Sequence, residues 1–205
     1  MRTISKRIIS IGLALALMLV LTACGEIKKA ENAVDNMFAA LKNADIEAAQ
    51  QYINLDELKQ SDEDSSFTDD TELIIRTVFK NLNHRIISSE KVDDSTVVVK
   101  TEITATDMKP IMGEFFTKAL QYAFSVAFEN PQPSKEEQNK KMEELFVECV
   151  SKPDLATITN EADITVVKAS DNSWRIKSDD AFADALLGGL YDAAEQMSES
   201  LGAIE

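Results

Sequence analysis

Three side chains of this sequence are of the types that most often act as nucleophiles or metal ligands: Cys24, Cys149 and the single histidine, His84. Zinc sites need several cysteine or histidine ligands, and this chain cannot supply them. A catalytic histidine needs an orienting acid and a nucleophile near it, and the sequence around His84 offers no such pair. The chain has 36 acidic residues, so pairs of carboxylates are expected by chance and do not indicate acid–base catalysis. We predict no catalytic residue, no metal site and no cofactor.

Cys24 stands at the end of a leader of the secretory type. The first seven residues carry three positive charges and no acid, and Ile8–Leu21 is a predominantly apolar run. As a helix this run would span about 21 Å, which is shorter than the roughly 30 Å hydrocarbon core of a bilayer. We therefore predict a signal peptide over residues 1–23 rather than a permanent membrane-spanning helix.

The end of the leader, Leu21-Thr22-Ala23-Cys24, resembles the lipobox of bacterial lipoproteins. The resemblance implies that diacylglycerol, with acyl chains such as palmitate, is attached to the Cys24 thiol and that the chain is cleaved between Ala23 and Cys24. Two acyl chains give a stable membrane anchor, whereas one holds only marginally. The implied location is the extracytoplasmic face of the cell membrane, and the general character of the sequence favours a Gram-positive bacterium.

The charge of the chain excludes several partners. Loss of Arg2, Lys6 and Arg7 with the signal peptide lowers the net charge from −15 to −18. An acidic excess of this size repels phosphate backbones, so we predict no binding to nucleic acid. It also opposes docking on an anionic membrane, which leaves the lipid as the means of attachment. Helical periodicity begins directly after the anchor at 24–25, so the domain should lie close to the bilayer.

The first half of the mature chain reads as helices followed by a hairpin. Apolar residues at helical spacing predict a first helix over Glu26–Asn43, and Asp45 caps a second helix that reaches Ile53. An acidic loop over Asp56–Asp70 precedes a third helix, whose end runs into His84. From Arg85 the period changes to two, which predicts strands at Arg85–Val92 and Thr96–Thr106.

The second half repeats this order. Ile111–Phe128 is apolar on more than one face, so this helix is either deeply buried or meets a partner. Ser134 and Glu137 form a capping box for a helix over Lys135–Val150, in which Cys149 is expected as a small buried hydrophobe. A strand over Leu155–Ala169 and a second one opened by Trp174 follow. A long helix at about 180–197 contains Gly188-Gly189, where it kinks or another backbone comes close.

Among the predicted elements, helices come first, hairpins follow, and a late turn precedes Trp174-Arg175-Ile176. This order of elements resembles that of the nuclear-transport-factor-2-like superfamily. The resemblance implies an α+β fold in which N-terminal helices pack on a curved antiparallel sheet. We expect one domain over residues 26–200, with a helical insertion at about 108–150 and a long C-terminal helix. These two additions could fill or cover the open pocket that is usual in the superfamily.

The function indicated by these features is that of a membrane-anchored, non-enzymatic binding or interaction module. Its ligand, a small molecule or a protein, could lie between the sheet and Ile111–Phe128, or that helix or the final helix could form a homodimer or partner surface. The alternative is an enzyme that uses scattered carboxylates together with His84. A carboxylate beside His84 in a concave site would favour this alternative.

Overall fold

The computed structural model describes residues 25–54 and 75–202. Helices and strands are mixed in sequence and in space, so the fold is α+β, as predicted. The signal peptide, Cys24 and the acidic loop lie outside the described residues. The helices are α1 (25–42), α2 (Ile46–Gln50), α3 (75–78, continued by a 3₁₀ turn at Phe79–Asn81), α4 (Met108–Val126), α5 (Lys135–Val150), α6 (Asp180–Leu186) and α7 (Leu190–Gly202).

The four described strands form one open antiparallel sheet, in the order of the chain. They are β1 (Asn83–Lys91), β2 (Thr96–Thr106), β3 (Thr157–Lys168) and β4 (Trp174–Lys177). β2 pairs with β3 along its whole length, although α4 and α5 separate the two strands in sequence. The insertion therefore leaves from the end of β2 and returns at the start of β3, at one end of the sheet.

β2 shows why alternation in the sequence predicted the sheet. Every second residue from Val97 to Ala105 is buried, and the residues between them are less covered. These buried side chains pack against α1, whose stripe of Ala30, Val34, Met37 and Leu41 is almost fully covered. A half-buried antiparallel strand gives this pattern because successive side chains point to opposite faces.

Three elements, α3, β1 and α2, differ from the sequence prediction. The third helix was expected to run up to His84, but β1 already begins at Asn83. β1 also contains an irregularity between Ile86 and Ser88 that shifts its register against β2. Such a bulge changes which residues face inward, and simple alternation in the sequence does not reveal it. α2 ends at Gln50 because Tyr52 and Ile53 instead pair with Ile176 of β4.

The expected long C-terminal helix is in fact two helices, α6 and α7. Gly188 and Gly189 separate them, with φ of 61° and 79°. Glycine adopts these positive φ values without the steric cost that a β-carbon brings, and two such residues in succession end the helical path. The Gly188 carbonyl accepts a hydrogen bond from the Met108 amide at 2.9 Å, which joins this break to the start of α4.

The capping box of α5 is present as predicted. The Ser134 hydroxyl accepts a hydrogen bond from the Glu137 amide at 3.2 Å, and the Glu137 carboxylate accepts one from the Ser134 amide at 2.8 Å. The bonds that the Ser134 amide and hydroxyl donate to the Glu137 carboxylate lower the pKa of this group. Each of the two bonds from an amide satisfies a donor that the first turn of a helix leaves without a partner.

We predict that Ser134→Ala lowers the free energy of unfolding by about 1 kcal/mol, the usual cost of losing an N-cap. Ser134→Thr keeps a hydroxyl acceptor and should cost only a few tenths of that amount. Urea titration of the purified full-length protein, followed by circular dichroism, compares the two variants. Equal stability of both variants would show that the cap does not contribute.

Candidate functional site

The predicted lipidation site precedes α1 directly. Ala23 and Cys24 lie outside the described residues, so lipid attachment and cleavage remain predictions, whereas residue 25 is already helical. Near the start of α1, the Glu26 carboxylate lies 2.8 Å from the Lys91 ammonium group at the end of β1. The start of α1 therefore lies at the end of the sheet that carries the β1–β2 turn.

His84 has an acid partner that the sequence did not reveal. Its Nε2 lies 2.8 Å from Oδ1 of Asp35 on α1, and its ring is stacked on Phe38 with centroids 4.3 Å apart. Asp35 is distant in sequence, and only the packing of α1 on β1 brings the two residues together. The pair satisfies one requirement of the enzyme alternative, a carboxylate beside His84.

The surroundings of His84 give it a structural role. Two further pairs join the same helix to the same strand: the Ser89 hydroxyl donates to Glu31 at 2.9 Å, and Lys91 contacts Glu26. The three pairs follow α1 and β1 in opposite directions along the chain. His84 is thus part of a row of polar contacts that attaches the edge strand to α1.

Cys149 is fully buried on α5, as predicted. It lies with Met108, Ile111 and Val150 in a small apolar cluster that is separate from the main core. Burial raises the pKa of its thiol, which lowers the fraction of reactive thiolate. Cys149 is therefore a packing residue of the α4–α5 pair.

The α4–α5 pair forms an arm at the end of the sheet opposite the start of α1. β2 runs from Thr96, near the start of α1, to Thr106, where the arm begins, a distance of about 33 Å for eleven residues. α4 makes its principal contacts with α5 and α7. The insertion therefore does not fold back over the sheet as a deeply buried helix would.

The outer side of α4 is apolar and uncovered. Leu120 is 41 % exposed, Phe124 is 71 % exposed and Phe128, just beyond the helix, is 92 % exposed. Leu120 and Phe124 are four residues apart and therefore lie on one side of α4, and Phe128 follows in the turn after the helix. We call these three residues the α4 apolar face. The sequence predicted that this helix is either deeply buried or meets a partner. Its second half is not deeply buried.

The α4 apolar face is also free of charge. No charged residue occurs between Lys118 and Glu129, in a chain with 28 % charged residues. The intervening positions on the exposed side are small or uncharged, among them Gln121, Ala123 and Ala127. Hydration of a protein surface normally relies on charged side chains, so this face resembles the centre of a protein interface more than a solvated surface.

The arm is held firmly on its inner side. Phe115 and Phe146 meet edge to face with ring centroids 5.7 Å apart. The Lys118 ammonium group lies 2.7 Å from the Glu148 carboxylate, and Glu114 binds both Lys118 and Lys152. Since α4 is attached to α5 by both apolar and ionic contacts, the exposed aromatic side chains are presented on a structured helix.

One surface cleft formed by the described residues is acidic. It has a volume of about 840 Å³ and lies between β3, α6 and α7. Among its lining residues are the carboxylates of Glu161, Asp180, Asp184, Asp192 and Glu195. In residues 25–54 and 75–202, however, no group of three or more Asp, Glu, His or Cys side chains is arranged to hold a metal ion.

Two further clefts among the described residues flank β4 and share Arg175. One, of about 590 Å³, is lined by residues around Ile53 and Lys177, and the second, of about 470 Å³, lies between α1 and the turn before Trp174. Neither His84 nor Asp35 lines any of the three clefts, and neither does any residue of α4. The expected ligand position between the sheet and α4 is therefore not one of these clefts.

Comparison with known proteins adds little to this geometry. No protein-family model matches the sequence, and no curated protein matches it either. One solved structure is similar, that of a candidate lipoprotein, YcdA, from Bacillus subtilis, with 17 % identity and a TM-score of 0.40. The similarity covers 58 % of this chain and 35 % of that one, so the present chain spans about a third of YcdA. A partial likeness of this kind says nothing about function.

None of the helices in the described part of the chain is both long enough and apolar enough to cross a bilayer. α4 comes nearest in length, with 19 residues, but its inner side carries Glu114 and Lys118.

Proposed function

We propose that this chain is an extracytoplasmic lipoprotein that is held on the membrane by a lipid at Cys24 and acts, without catalysis, by binding another protein through the α4 apolar face. The exposure of Phe124 and Phe128 carries this proposal. Exposure of two phenylalanine side chains to water is unfavourable in free energy, by about 25 cal/mol for each Å² of apolar surface. A binding partner that covers them removes this cost.

The arm starts far from the proposed anchor. The proposed anchor adjoins α1 at one end of the sheet, and the arm leaves from the other end. An apolar patch intended for the lipid surface would be better placed beside the anchor. For this reason we favour a protein partner over a second contact with the anchoring membrane.

The fold proposed for the mature part is a member of the nuclear-transport-factor-2-like superfamily. The packing of α1 on an open antiparallel sheet and the turn before Trp174 support this assignment. The arm and the α6–α7 pair are additions to that plan. Since α6 packs on β2 and β3, it covers part of the sheet that would otherwise line a pocket.

The enzyme alternative has one observation in its favour, the 2.8 Å contact between His84 and Asp35. This pair lines none of the three clefts described above, where a substrate could be positioned. The interaction proposal is better supported because it accounts for the exposure of Phe124 and Phe128, which the packing of the fold does not explain.

The test is the double variant Phe124→Ser/Phe128→Ser, with Val92→Ser as the control. Val92 is also an exposed apolar residue, 61 % exposed, but it lies next to the β1–β2 turn. Intact cells that express each variant are treated with formaldehyde, and adducts are detected on gels. We expect the double variant to lose adducts that the wild type and the Val92 variant keep. Retention of every adduct in the double variant would contradict the proposal.

A further inference from the structure

The α4 apolar face is self-complementary. Leu120 and Phe128 lie four residues before and four residues after Phe124. A two-fold rotation that places Phe124 against its own copy therefore places Leu120 against Phe128 of the other copy when the helices run antiparallel. In such an isologous contact, every exposed apolar side chain of one face meets one of the other face.

The distribution of charge restricts where two copies can meet. The net charge of −15 makes two copies repel each other over most of their surface. The α4 apolar face is the exception, because no charged residue lies between Lys118 and Glu129. A parallel pair would bring the two exposed Glu129 side chains together, whereas an antiparallel pair places each of them beside Ala119 of the other copy.

We infer that the partner of the α4 apolar face is a second copy of this chain, in a two-fold, antiparallel contact centred on Phe124. The inference rests on the proposed function, since it names the protein that the face binds. Side chains at intervals of four form the ridges by which helices most often pack. The small residues Ala123 and Ala127 beside the ridge allow the second helix to approach closely.

The exposed aromatic residues supply a substantial part of the area of such a contact. At about 200 Å² for a whole phenylalanine side chain, Phe124 and Phe128 together expose about 330 Å². A standard interface buries about 800 Å² on each partner. Two side chains thus supply about two fifths of this area, and Leu120 with the rest of a 19-residue helix is available for the remainder.

Attachment to a membrane favours the same contact. A lipid at Cys24, directly before α1, would confine all copies to one thin layer at a similar height. Confinement raises the effective concentration of one copy around another, so a moderate intrinsic affinity is sufficient.

The experiment places photoreactive benzoylphenylalanine at position 124 of the full-length protein in intact cells. This residue keeps an aromatic side chain at the centre of the contact and reacts with whatever adjoins it. The matched control has the same residue in place of Val92. A further variant combines the photoreactive residue at position 124 with Leu120→Asp, which brings an acid into each half of the contact.

We expect illumination to give a product of twice the chain mass, at least fivefold more abundant than with the Val92 control. Mass spectrometry should join position 124 to residues 120–128 of another copy, and Leu120→Asp should reduce the product severalfold. A Leu120-dependent adduct with a different protein would overturn the inference that the partner is a second copy, but it would leave the proposed interaction function in place. Adducts with lipid only, or no adduct above the control, would overturn both.

Discussion

Replacing Cys24 by alanine is expected to release the protein from the membrane fraction and to abolish incorporation of lipid label. The physical reason is that the thiol is the predicted attachment point of two acyl chains. The net charge of the chain is −15, and no described helix can cross a bilayer. The measurement is fractionation of cells grown with a radioactive or clickable fatty acid, followed by detection of the protein.

The control is Cys149→Ala, which removes the other cysteine. Because Cys149 is buried in the arm, this variant should still carry label and remain with the membrane. A Cys24→Ala protein that stays in the membrane fraction and still incorporates label would refute the predicted lipidation.

A second large effect is expected at the break between α6 and α7. A β-carbon added to Gly188 would lie 1.8 Å from the Thr106 carbonyl oxygen, at the end of β2. The obstacle is backbone, so it cannot move aside as a flexible side chain would. The residue is also held at φ 61°, which costs a residue with a β-carbon about 1–2 kcal/mol even in open space. We predict that Gly188→Ala lowers the free energy of unfolding by about 3 kcal/mol or more.

Gly189 provides the matched control for this prediction. It also has a positive φ, 79°, but a β-carbon there would meet nothing within 4 Å. Gly189→Ala should therefore cost only the conformational term, about 1–2 kcal/mol. Urea unfolding followed by the fluorescence of Trp174, the only tryptophan and a buried one, measures both variants. Equal losses in the two variants would mean that the close approach to Thr106 is not a constraint.

Local sequence patterns predicted those elements that have a regular alternation of apolar residues or a capping motif. β2 was predicted with its observed bounds because its alternation is regular over eleven residues. The capping box at Ser134 was predicted because a capping residue and its partner lie three positions apart. Both signals depend on neighbours in the chain, which a sequence shows directly.

The features that were missed depend on neighbours in space. Asp35 and His84 meet because α1 packs on β1, and no local pattern connects them. The bulge in β1 and the division of α6 from α7 depend on what lies beside the chain, in the second case the end of β2. The apolar residues of α4 predicted burial or a partner, and only the packing of the arm shows which of them remain uncovered.

The sequence by itself predicted the leader, the anchor at Cys24 and the absence of nucleic-acid binding, because these predictions depend on residue types, charge and short spacings. The tertiary structure decided where the arm lies relative to α1 and that Phe124 and Phe128 face outward. A helix with apolar residues on several sides has no preferred inner face of its own. Which side is buried is decided by the elements that pack against it, here α5 and α7.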